Sequence, residues 1–108
     1  MTELKTYQRF CNAHPGAMVF VRMGDFYECF SETAREVSSL IGIPLAIRGG
    51  IEVAGFPVAK LCERLHELSH AGWRRAVMYR DGQPTATYHA NDGYVKDLAT
   101  GAMVNLAE

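Results

Sequence analysis

The sequence predicts an α/β (α+β) domain, a mixed β-sheet packed by about three helices in a single small unit. Three observations predict it. Segments with apolar residues at helical spacing alternate with short β-prone runs, in the order α-β-β-α-β-α-β followed by further short strands. Turn chemistry separates them, at Gly24-Asp25, Gly49-Gly50, Asp81-Gly82 and Asn91-Asp92-Gly93. The 108 residues, 48% apolar and 21% charged, suffice for one core without disulfide or metal staples.

The elements follow in order. Leu4, Tyr7, Phe10 and Cys11 share a helical stripe within residues 3–13. Thr2 is the expected N-cap and His14-Pro15-Gly16 the stop, with His14 meeting the helix's free carbonyls. Residues 17–30, AMVFVRMGDFYECF, read as a β-hairpin turning at Gly24-Asp25, because Gly tolerates positive φ and Asp bonds its own backbone. SETAREVSSLIG is a second helix. Ser31 is its expected cap, Glu32 sits in the first turn where the dipole favours an acid, and Gly42 closes it. Its inner face is Ala34, Val37, Leu40 and Ile41.

Two short strands, Pro44 to Ile47 and Ile51 to Ala54, flank Arg48-Gly49-Gly50. Pro57 then opens a third helix with Val58, Leu61, Cys62, Leu65 and Leu68 on one stripe, ended by Gly72. WRRAVMY (73–79) reads as a strand buried at Ala76-Val77-Met78, and 84–90 is β-prone. YVKDL and AMVNL flank Ala99-Thr100-Gly101 as a last hairpin with a three-residue loop.

Composition narrows the function classes. Lys and Arg number 11 against 12 Asp and Glu, a net charge of −1. Phosphate neutralisation drives nucleic-acid affinity, so a near-neutral chain either segregates its cations on one face or binds weakly alone. No apolar run approaches a membrane span and the N-terminus lacks a signal-peptide core, so a cytoplasmic location is expected. Cys11, Cys29 and Cys62 are odd in number, far apart and without a CxxC, as free thiols in a reducing compartment are.

The chemistry centres on the second strand of the first hairpin. Side chains alternate, so Phe26, Glu28 and Phe30 share one face and Tyr27 and Cys29 the other. With Tyr27 and Cys29 inward, an aromatic ring and a carboxylate stand together outside the core. Packing explains most aromatics, with Glu28 then a solvated strand-edge acid. RMGDFYECF, however, is similar to the N-terminal mismatch-recognition domain (domain I) of the MutS DNA repair family, which carries a Phe-x-Glu reader inside a GDFYE stretch. The helix SETAREVSSLIGI, the IRGGIEVAGFP stretch with its AG-x-P turn, and KLCERLHELSHAGWRRAVMYR resemble the family's next elements in the same order, although the basic loop is shorter here. The resemblance covers residues 5–80. It implies residues 1–80 as a mismatch-recognition core and 81–108 as a β-rich extension completing the same domain. The chain reads as a stand-alone domain of this kind.

The resemblance implies a role for each residue. Phe26 resembles the wedge that stacks into the minor groove at a mispaired or unpaired base while the DNA kinks, and Glu28 the reader that hydrogen-bonds the displaced base. A mismatched step is already poorly stacked, so opening it costs less than opening a matched one. Glu28 selects either by accepting from a base donor or, if protonated, by donating. Met23 packs beside the opened step. Arg22, Arg48 and Lys60 are candidate phosphate contacts. The implied partners are a mismatched or distorted DNA duplex, bound weakly by the chain in isolation, and a larger repair protein or a second copy of the chain, with no membrane. No GxxxxGK[ST] occurs, so ATP binding is not supported, no cofactor is implied, and the reading is of a non-enzyme.

Two alternatives stand beside it. Residues 66–70, HELSH, match HExxH, in which His66 and His70 bind zinc on one helix face and Glu67 acts as general base. That reading needs a third ligand from Asp81, His89, Asp92, Asp97 or Glu108, and the apolar stripe already claims the helix's buried face. The near-neutral charge favours the other alternative, a non-catalytic protein-interaction module derived from the recognition domain.

Overall fold

Met18, Val19 and Phe20 form the most deeply buried run of the chain, and they place their strand mid-sheet. The structure is a computed structural model and describes residues 2–105. It contains α1 (Thr2–Ala13), β1 (Met18–Met23), β2 (Phe26–Phe30), α2 (Ser31–Ile41), β3 (Leu45–Arg48) and β4 (Ile51–Pro57). A 3-10 turn (Val58–Lys60) leads into α3 (Leu61–His70), followed by β5 (Arg75–Arg80), β6 (Gln83–His89), β7 (Tyr94–Asp97) and β8 (Met103–Asn105). Among the described residues the strands form one sheet in the order β3-β4-β2-β1-β5-β6-β7-β8. β1 and β5 run parallel and the other neighbours antiparallel, so the sheet is mixed. The parallel pair needs a long crossover, which β2 through α3 supply. The expected α/β class, with three helices on a mixed sheet, is the one observed.

Register assigns the faces. Val21 lies opposite Glu28 and Met23 opposite Phe26, so Val19, Val21, Met23, Phe26, Glu28 and Phe30 share one face. α1 covers part of it. Tyr7 meets Phe30 edge-on at 5.1 Å, Phe10 stacks on Tyr79 at 3.9 Å, and the Tyr7 hydroxyl donates to the Val19 carbonyl at 2.7 Å. On the other face Met18, Phe20, Cys29, Ala54, Phe56 and Met78 are buried beneath α2 and α3, with Phe20 and Phe56 edge to face at 5.1 Å. Leu65 and Leu68 of α3, and Ala34 and Val37 of α2, complete that layer.

Several local expectations are corrected. Thr2 lies within α1, not before it. His14 meets a helix carbonyl through its backbone N–H, which donates to the Cys11 carbonyl at 3.2 Å, while its ring turns elsewhere: Nε2 lies 2.7 Å from the Tyr79 hydroxyl, a partner 65 residues away. Ser31 is not the cap of α2. β2 runs into the helix without a loop, the cap position falls on Phe30, and Ser31 takes a φ of 56°. That left-handed conformation costs a non-glycine residue about 1–3 kcal/mol. Leu40 is 40% exposed and not part of the inner face of α2. β4 extends to Pro57, so the proline ends a strand and the α-helix begins only at Leu61. The last hairpin spans five residues, because the Asp97 carboxylate accepts the N–H groups of Ala99 and Thr100 and builds a wider turn.

Phe20 is fully buried in a central strand, so Phe20→Ala is expected to destabilise the fold by about 3–5 kcal/mol in urea denaturation. Ile47 is 74% exposed on edge strand β3, and Ile47→Ala should stay within about 0.5 kcal/mol of the parent. Burial pushes the Cys29 thiol up to about 12. Its neutral form is therefore the folded one, and its contribution to stability is complete below the ordinary thiol value of 9.0 and declines as pH rises toward 12. In the native protein at neutral pH, Cys29 should resist a thiol-specific reagent that labels it readily in urea.

Candidate nucleic-acid interface

The first hairpin presents the candidate site. Gly24-Asp25 joins β1 to β2 as a two-residue turn, and Gly24 takes the positive φ, 61°, that such a turn demands. Two hydrogen bonds hold the turn. Arg22 Nε donates to the Gly24 carbonyl at 2.9 Å, and the Asp25 carbonyl accepts the Val58 N–H at 2.8 Å. The tip is thus tied both to itself and to the segment leading into α3.

Phe26 is the first residue past this turn. It is 47% exposed, and its cross-strand neighbour Met23 is 48% exposed. Tyr27, next in the strand, is buried near Phe56, and Cys29 is buried with its thiol donating to the Ala54 carbonyl at 3.4 Å. α1 reaches along the outer face as far as Phe30 and leaves Phe26 uncovered. A cavity of about 660 Å³ opens between α1 and the sheet, lined by Tyr7, Phe10, Val21, Phe30, Met23 and Arg48 among others. Neither Phe26 nor Glu28 lines it.

Glu28 lies two residues on from Phe26, on the same face. Its side chain is only 14% exposed and is not the free surface acid that alternation alone suggests. Arg48, at the end of β3, grips it with both ends of the guanidinium, Nη2 to Oε1 at 2.6 Å and Nη1 to Oε2 at 3.3 Å. That hydrogen bond and the carboxylate's charge raise Arg48 above the ordinary arginine value. The opposing residue on β4 is Gly55. A Cβ there would stand 2.9 Å from the Tyr27 carbonyl oxygen and 3.1 Å from Glu28 Cγ. Gly55 is therefore the glycine over which the Glu28 stem lies, a role the sequence marked only as the glycine of AG-x-P.

The remaining candidates are spread out. Arg22 pairs with Tyr27 across the hairpin, on the opposite face from Glu28, and its Nε is engaged by the turn. Lys60 is exposed beyond Pro57 and lies 3.7 Å from Glu63. The structure thus brings Met23, Phe26, Glu28 and Arg48 to one face, while Arg22 lies on the opposite face and Lys60 in the turn beyond β4.

The HExxH residues do not assemble a centre. His66 and His70 are exposed with ring centroids 4.6 Å apart, His70 Nδ1 lies 2.9 Å from the His66 carbonyl, and Glu67 is paired with Arg64. Asp97 is occupied by backbone N–H groups, and His89 Nδ1 accepts from Asn91 N at 3.1 Å. Glu108 lies outside the described residues. Among the described residues no three His, Cys, Asp or Glu side chains stand close enough to hold a metal ion.

Comparison with known proteins adds a second line. The sequence profile of the family described as MutS domain I matches residues 2–105. The match runs through β6, β7 and β8, past the region where the sequence alone displayed a likeness. The DNA mismatch repair protein MutS of Bradyrhizobium sp. (strain ORS 278) is 44% identical over 79 residues, covering 68% of this chain and 9% of that protein. That of Nitrobacter winogradskyi is 40% identical over 88 residues, covering 77% of this chain and 10% of its own. That of Salinibacter ruber is 38% identical over 79 residues, with 68% and 9% covered. The chain spans about a tenth of the length of the curated relatives it matches.

Gly55→Ala would press a methyl group onto the Tyr27 carbonyl, which is backbone and cannot swing aside. The substitution is expected to cost about 1–3 kcal/mol by chemical denaturation. It should also shift the amide resonance of Glu28 more than that of Val95, which lies in distant β7.

Proposed function

The chain belongs to the MutS domain I family, and on that premise we propose that it binds DNA and recognises mismatched or distorted duplex through a Phe26-x-Glu28 wedge. One observation carries the reading. Phe26 is held half-exposed at a turn fixed by hydrogen bonds, with Met23 beside it and a carboxylate two residues along the same face. A rigid, partly dry aromatic at a protruding tip is suited to insertion, since stacking on a base is worth about 1–3 kcal/mol. Unstacking a duplex step costs a few kcal/mol, and less where the pair is already broken. The difference between those two costs is the discrimination. Met23 extends the apolar surface against the opened step.

Glu28 contributes selection and not grip, because phosphates repel it. Arg22, Arg48 and Lys60 supply phosphate contacts at the rim, each partly offset by a partner within the chain. With a net charge of −1 the domain alone binds weakly, and a larger repair protein or a second copy of the chain supplies the remaining affinity. The domain itself performs no catalysis and works in the cytoplasm. Among the described residues no helix is long and apolar enough to cross a membrane.

Phe26→Ala should abolish the preference for mismatched over matched duplex in a low-salt gel-shift titration, while circular dichroism stays that of the parent because the ring is half-exposed. Equal discrimination by variant and parent would end the wedge assignment. Parent affinity should fall steeply between about 50 and 200 mM salt. Tight binding by the isolated chain at physiological salt would contradict the expected dependence on a partner.

A further inference from the structure

On the outer face of the sheet α1 reaches as far as β5, where Phe10 stacks on Tyr79 and the His14 ring meets the Tyr79 hydroxyl. Register carries the same face across three more strands. Val19 pairs with Val77, Val77 with Thr87, Thr87 with Lys96 and Lys96 with Met103. Arg75, His89 and Tyr94 form the next row on that face. Alternation along β7 buries Val95 on the other side and leaves Lys96 exposed, with Tyr94 38% and Met103 55% exposed. The charge on this face has one sign. Among the described residues neither Arg75 nor Lys96 is paired with an acid. The one acid within β5 to β8, Asp97, lies opposite Ala86 on the other face, and its carboxylate accepts the Ala99 and Thr100 N–H groups.

We infer that the outer face of β5 to β8 is a second nucleic-acid site, separate from the hairpin tip, which takes a single strand: Tyr94 stacks a base while Lys96 and Arg75 hold neighbouring phosphates. The site does not depend on the wedge, since α1 stands between this face and Phe26. Two unpaired cations without an acid beside them complement a polyanion. The exposed ring decides which polyanion. A duplex keeps its base faces stacked on one another and offers phosphates and groove edges, whereas an unpaired strand offers the π-face of each base. Tyr94 and Lys96 are two residues apart on β7, about 7 Å, so a base on the ring leaves its phosphate within reach of the lysine side chain. Met103, opposite Lys96, extends the apolar floor toward the next base. Arg75 donates to the Pro15 carbonyl at 3.3 Å, which anchors the guanidinium and leaves its other N–H groups for a phosphate.

The test is fluorescence anisotropy at low salt with two labelled single strands of equal length, about ten nucleotides. One is oligothymidylate; the other is a strand of abasic sites, with the same phosphates and no bases. The parent should bind oligothymidylate about tenfold tighter than the abasic strand, the worth of one stacked base. Tyr94→Ala should bring that ratio close to one, and Tyr94→Phe should keep it. Lys96→Gln, a change on the open surface, should weaken both strands alike and flatten their salt dependence. Phe26→Ala should leave the ratio as in the parent, and Tyr94→Ala should leave the preference for mismatched duplex intact, so this site and the wedge stand or fall separately. A parent that binds the two strands equally makes the face a phosphate contact only and overturns the inference. A ratio lost in Phe26→Ala and kept in Tyr94→Ala puts the stacking at the hairpin tip and overturns it too. A parent that binds neither strand but self-associates in sedimentation, and no longer does so as Tyr94→Ala, gives the face to a second copy of the chain and overturns it as well.

Discussion

Tyr27 and Cys29 are buried on the face of the sheet that α2 and α3 cover, and strand alternation then leaves Phe26 and Glu28 only the other face. A one-residue slip of β2 would bury the acid and expose the thiol. Register is accordingly pinned from both sides. β1 pairs with β2 from Val21 to Met23, and β4 pairs with every residue of β2 from Phe26 to Phe30. The buried aromatic cluster of Phe20, Tyr27 and Phe56 rewards only that register. The exposed ring is thus a consequence of the core, and the same contacts that stabilise the domain set where the tip points.

The half-covered outer face divides the labour along one strand. At one end Phe30 packs edge-on against Tyr7 of α1, which ties the strand into the domain. At the other end Phe26 has no such cover. Between them Glu28 is mostly shielded by Arg48 and the sheet, at a site with a glycine opposite. An acid this shielded without a cation would carry a desolvation penalty, so the arginine and the glycine belong to one arrangement. The cost of leaving Phe26 and Met23 in water is modest, since isolated apolar residues are common on protein surfaces.

The features written in local chemistry were legible in the sequence. Alternation across FYECF assigned Tyr27 and Cys29 inward, and the Gly24-Asp25 turn, the Gly49-Gly50 turn and the Leu65–Leu68 stripe all fall where residue type alone locates them. Features that depend on distant partners were not. Nothing in HPG says that His14 will find Tyr79, and nothing in RGG says that Arg48 will reach back over β4 to Glu28. Ser31 misled for a related reason. A serine before a helix is ordinarily a cap, but here the strand runs directly into the helix and moves the cap to Phe30. The HELSH match is of the same sort, since a two-histidine spacing carries no information about a third ligand, and among the described residues none stands near.

The near-neutral charge then acquires a meaning under the proposed reading. Among the described residues Arg35, Arg48, Lys60 and Arg64 are each paired with an acid of the same chain, so part of the positive charge is spent internally. Phosphate attraction does not depend on sequence or on pairing, and raising it strengthens matched and mismatched binding together. Stacking by Phe26 and base contact by Glu28 act only where a step opens. A domain with weak electrostatic grip and a rigid wedge therefore keeps its ratio of mismatched to matched binding high at the expense of affinity. A tip of this kind works best when another surface supplies the grip, which is coherent with a chain that matches only about a tenth of each relative's length.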